Sequence, residues 1–114
     1  MGQGYVDIYL LPVRDDRMDE YREQATDFGA IVKEYGGLNY REFRADDVGD
    51  GFTPGDGLTM TAAVVEFDSR EHRDDVMAKV MQDPRVAEKT EEEDEQIADM
   101  SAMRYGGFET FVNP

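Results

Sequence analysis

TMTAAVVEFDSREHRDDVMAKVMQDPR, residues 59–85, changes its hydrophobic period halfway along. Thr59–Phe67 is dense in β-branched and apolar residues and predicts a central strand. Ser69 then predicts a helix N-cap, because its hydroxyl can take up a free N–H of the first turn, and Val76, Met77, Val80 and Met81 recur at helical spacing as the buried side. Asp83-Pro84 restarts the chain. The aspartate can cap, and proline suits a first helical position that has no intrahelical N–H bond to lose, so a short helix is expected to about Glu93.

Toward the N-terminus, Tyr5–Val13 reads as a strand, and Asp15 or Asp16 is placed to cap a long helix. Met18, Tyr21, Ala25, Phe28, Val32 and Tyr35 form one apolar stripe at steps of three and four, and Gly36-Gly37 ends it. Leu38–Ala45 is a second strand, followed by a glycine- and aspartate-rich loop over 46–58. Toward the C-terminus the charged run TEEEDEQ reads as a hydrated face, and Met103–Val112 as the last strand. Strand, helix, strand, strand, helix, strand is the α+β, ferredoxin-like βαββαβ order, a four-stranded antiparallel sheet with both helices on one face. At 114 residues the chain is expected to be one domain, 1–114.

The other sheet face needs a cover. Alternation puts Tyr5, Asp7, Tyr9 and Leu11 on one side of the first strand, and Met60, Ala62, Val64 and Glu66 on one side of the third. Each set is apolar with a single carboxylate, and we assign both to the second face. Large apolar faces mark interfaces or pockets, so a homodimer enclosing a cavity between two sheets is expected.

Composition removes many functions. There is no cysteine, which excludes disulfides, thiolate metal sites and cysteine nucleophiles. The net charge of −15 argues against nucleic acid and anionic membrane partners. With no leader-like start and no apolar run approaching ~20 residues, a cytoplasmic protein is expected. Fifteen aspartates, twelve glutamates and only three lysines point to a salt-adapted, halophilic host, since salt screens the self-repulsion of an anionic surface. No GxGxxG, GxxxxGK[ST] or G-x-S-x-G occurs, and DDVGDG lacks the calcium-loop spacing, so no cofactor and no metal are expected.

Several stretches together resemble the YbaA-like family of uncharacterised bacterial proteins, domain of unknown function 1428: YREQA and VKEYGGL in the first helix, SREHRDDVMAKVMQDPR, and the closing RYGGFE. The resemblance covers nearly the whole chain. It implies a dimeric α+β barrel, a superfamily that includes cofactor-free monooxygenases, lactone isomerases and haem-binding relatives, and it implies no particular activity. REFRADD, TAAVVEF and IADMSAM depart from the family pattern.

Two candidate sites follow. Asp68, His72 and Asp75, at i, i+4 and i+7, could orient an imidazole or hold a weak divalent ion, but a helix shoulder flanking the core with local ion pairs is the stronger reading. The cavity is the better candidate. There Asp7, Tyr9 and Glu66 are assigned as catalytic groups and Glu42, Arg104 and Glu109 as ligand-binding groups, because desolvation would raise a carboxylate toward the range useful for general acid–base work. The competing reading pairs those carboxylates with Arg41, Arg44 or Arg104. Gly106-Gly107 predicts a bulge, or less commonly a close approach. The expected function is small-molecule binding, with cofactor-independent enolisation, isomerisation or oxygenation; the alternative is a non-enzymatic dimeric ligand-sensing or stress-related module.

Overall fold

The structure, a computed structural model, describes residues 3–114. Strand β1 (Tyr5–Arg14) leads through a 3-10 turn into helix α1 (Met18–Glu34), then β2 (Asn39–Arg44), β3 (Leu58–Phe67), α2 (Arg70–Gln82), two short helices α3 (Pro84–Ala87) and α4 (Glu91–Glu95), and β4 (Arg104–Glu109). The sheet order is β2-β3-β1-β4 and every neighbouring pair is antiparallel. This is the α+β, ferredoxin-like βαββαβ architecture read from the sequence.

The helices cover one side of the sheet. Ile31 and Val32 of α1 and Val76 and Val80 of α2 pack with Tyr5, Val65 and Phe67. Ser69 caps α2 by accepting from the His72 N–H, and Asp83 caps α3 by accepting from the Arg85 N–H. Gly36, at φ 110°, turns the chain out of α1, and the Gly37 N–H closes the end on the Val32 carbonyl at 2.9 Å.

Three expectations are corrected at this level. Neither Asp15 nor Asp16 caps α1; Asp15 accepts from the Thr59 hydroxyl at 2.5 Å and Asp16 pairs with Arg14, and the 3-10 turn takes up the entry. The helix begun at Pro84 stops at Ala87, and Thr90 caps a separate helix in the charged run. Met81 is 56% exposed rather than buried. Ile97 and Ala98 form a second small core with Val13, where their backbone bridges the end of β1.

The most consequential correction concerns β1. Tyr5, Asp7 and Tyr9 stand opposite Phe67, Val65 and Ala63, and directly opposed residues of an antiparallel pair share a side. They therefore lie under the helices. Val6, Ile8 and Leu10 join Glu66, Val64 and Ala62 on the open side. Pairing runs without interruption from Tyr5↔Glu109 to Leu10↔Arg104, so β4 has no bulge. Gly107 instead makes room for the Tyr5 ring: a Cβ there would lie 2.0 Å from the phenol oxygen.

Candidate functional site

The structure distributes the six candidate residues over four places. Asp7 and Tyr9 are on the helix side, Glu66 is on the open side opposite Val6 and Asn39, and Arg104 is on the open side opposite Leu10. Glu109 is exposed at the far end, lining a shallow cleft with Arg70 and Phe111. Asp7, Tyr9 and Glu66 do not converge. The expectation of one cavity holding them gives way because successive strand positions point to opposite sides.

Asp7 is 3% exposed and accepts from Arg73 at 2.7 Å. Arg73 also donates to the Tyr5 hydroxyl and lies over the Tyr5 ring at 5.0 Å. Its partner is thus a helix arginine and not Arg41, Arg44 or Arg104. Burial pushes the Asp7 carboxyl above its ordinary value, and the Arg73 charge and hydrogen bond oppose this without cancelling it. Tyr9 stacks on Tyr105 at 5.6 Å, and burial followed by the Asp7 charge raises its phenol. His72 accepts at Nδ1 from the Asp68 N–H at 2.9 Å, which seats it in the β3–α2 turn, and Asp75 pairs with Lys79. Among the described residues no group of three His, Cys, Asp or Glu is placed to hold a metal ion.

Glu42 is in a different position. It stands opposite Ala63 on the helix side of edge strand β2, in the wall of a groove of about 480 Å³ between α1 and β2. Its two carboxylate oxygens accept one hydrogen bond each, from the hydroxyls of Tyr21 on α1 and Tyr40 on β2. Burial, followed by the charge of Glu42, raises both phenols far above their ordinary value, so both stay protonated and act as donors.

The α1 wall explains the space. Ala25, Thr26, Gly29 and Ala30 are all small, and a Cβ at Gly29 would lie 2.5 Å from Cδ1 of Tyr40. Phe28, next to Gly29 on α1, meets the Tyr40 ring edge-on at 5.9 Å. Tyr21 falls in the predicted apolar stripe, which does not reveal that its hydroxyl donates to Glu42. The signal was available: Glu42 and Tyr40, two apart on a strand, share a side.

Three comparisons extend these findings. The family model described as "Protein of unknown function (DUF1428)" matches residues 4–98. The uncharacterised protein YbaA of Escherichia coli (strain K12) is 34% identical over 117 residues, spanning 96% of this chain and 97% of that protein. Among solved structures, a mutant of SnoaB, a cofactor-independent oxygenase from Streptomyces nogalater, superposes with a TM-score of 0.68 at 9% identity over 98% of this chain and 97% of that one. An uncharacterised NIPSNAP-like domain protein from Burkholderia xenovorans superposes with a TM-score of 0.62 at 13% identity, over 100% of this chain and 92% of that one. At these identities the structural likeness is one of fold.

Proposed function

We propose that this chain, which belongs to the DUF1428 family of proteins of unknown function, binds a small carbonyl compound in the α1/β2 groove and enolises it without a cofactor. The observation that carries this reading is the Tyr21–Glu42–Tyr40 cluster in the wall of the groove. The groove has the size of small-molecule sites, which pair apolar walls with a few convergent polar groups. In this reading Glu42 takes the proton from the carbon beside the carbonyl, and a tyrosine hydroxyl turns from Glu42 to the substrate oxygen as negative charge develops there. Return of a proton to the same carbon completes an exchange, and its delivery to another carbon of the enolate's conjugated system completes an isomerisation.

Two copies associate through the open side of the sheet. Val6, Ile8, Leu10, Ala62 and Val64 lie there on the two central strands, and Phe43 and Phe108 on the edges are 47% and 53% exposed. That leaves the groove on the outside of the dimer.

The test is solvent deuterium incorporation beside the carbonyl, followed by proton NMR in heavy water across a set of ketones and oxo acids. Wild type is expected to accelerate exchange, and Glu42→Gln to lose about 100-fold or more, the usual weight of a general base. A second reading, a non-enzymatic ligand-sensing module, draws on the full engagement of both Glu42 oxygens. Ligand-induced thermal stabilisation with no accelerated exchange would favour it.

A further inference from the structure

Acidic residues outnumber basic ones 27 to 12 in this chain, so basic groups have acidic partners in abundance. Among the described residues the ion pairs employ Arg14, Arg17, Arg73, Lys79 and Arg85. Seven basic residues belong to none of them; Arg70, Lys89 and Arg104 lie elsewhere, and Arg22, Lys33, Arg41 and Arg44 line the α1/β2 groove. The groove has one carboxylate, Glu42, already held by two phenols. A chain of net charge −15 thus keeps a local excess of cations around the space argued above to be its binding site.

The cations are unevenly placed. Tyr21 reaches Glu42 and Gly29 lies against Tyr40, so α1 and β2 run in opposite directions beside the groove. Arg22 and Arg44 consequently share one end, next to the Glu42 cluster. Lys33 is eleven residues along α1 from Arg22, about 16 Å at the helical rise, and marks the other end. Arg41 faces the open side and stacks on Phe43 at the rim, 5.4 Å from its ring centroid.

We infer that the ligand of this groove is an oxo acid, its carboxylate held between Arg22 and Arg44 and its carbonyl against the Tyr21–Glu42–Tyr40 cluster. This rests on the carbonyl-binding reading above and narrows it. The adjacency of the two-arginine end and the phenol–carboxylate cluster matches a molecule whose carboxylate and carbonyl are separated by no more than one carbon. Arginine suits a carboxylate because its planar fork can donate two parallel hydrogen bonds.

The experiment is calorimetric titration of the full chain with matched pairs in which a methyl replaces the carboxylate: phenylpyruvate against phenylacetone, and benzoylacetate against propiophenone. Each pair is run on wild type and Arg44→Gln at about 0.1 M and about 1 M salt. At least one oxo acid is expected to bind wild type about tenfold or more tighter than its ketone, the weight of a charge-assisted hydrogen bond. Arg44→Gln is expected to erase that difference without lowering the melting temperature, and high salt to narrow it. Equal binding of acid and ketone, or a preference that survives Arg44→Gln, would overturn the oxo-acid assignment and leave the carbonyl site standing. Failure of all four compounds to bind would overturn both.

Discussion

Arg73 on α2 and Asp7 on β1 form an ion pair of 2.7 Å beneath the helices, in which the carboxylate side chain is 5% exposed and the guanidinium 23%. Removing the arginine strands a buried charge, whereas removing the charge of the aspartate does not. Arg73→Gln is therefore expected to cost about 3 kcal/mol at neutral pH and Asp7→Asn about 1–2 kcal/mol. Denaturant unfolding of both variants checks the order, and an equal or reversed order would contradict it.

Asp7 and Asp83 titrate with opposite signs. The Arg85 hydrogen bond, then the Tyr35 hydrogen bond, hold the Asp83 carboxyl well below its ordinary 3.8, so its contribution is present above 3.8 and lost as pH falls below it. Asp7 is raised, so its contribution is full below 3.8 and is lost as pH rises through its folded value. Melting curves against pH should show a shallower acid limb for Asp83→Asn. The deficit of Asp7→Asn should shrink from acid toward neutral pH.

Gly29→Ala opposes two effects. Alanine gains about 1 kcal/mol of helix propensity, but its Cβ would lie 2.5 Å from the Tyr40 ring, and overpacking of a fixed ring costs about 1–3 kcal/mol. The clash is expected to win. A lower melting temperature and weakened ligand binding are predicted, since Tyr40 must move away from Glu42. A stabilised variant with intact binding would mean that the ring is free to shift.

Val64 sits on the open side of central strand β3, opposite Ile8 and Arg41. Val64→Asp should convert a dimer to a monomer by light scattering, because it places a charge in the centre of the proposed apolar interface. A wild-type monomer would remove the sheet-to-sheet association.

The element order was legible because α1 carries a helical stripe, β3 a β-branched run, and α2 a serine cap followed by Val76 and Val80 at helical spacing. The side assignment of β1 was not. Val6-Ile8-Leu10 and Tyr5-Tyr9-Leu11 are both apolar sets, so alternation has no sign there, and only the register with β3 decides. Arg73 could have been found: it stands three and seven residues before Val76 and Val80 and hence on the buried flank of α2. The groove was less accessible, because it depends on small residues of α1 whose effect appears only once Tyr40 packs against Gly29. Ile97 and Ala98 lay hidden beside a charged run that reads as solvent-facing.

The most direct measurement is amide NMR mapping of an oxo acid or ketone on the isotopically labelled chain. Shifts concentrated on α1 from Arg22 to Lys33 and on β2 from Tyr40 to Arg44 are predicted, and Glu42→Gln should weaken them. Shifts centred on Glu66 and Arg104 across the open side, with α1 and β2 unmoved, would place the site in the sheet cavity and contradict the account.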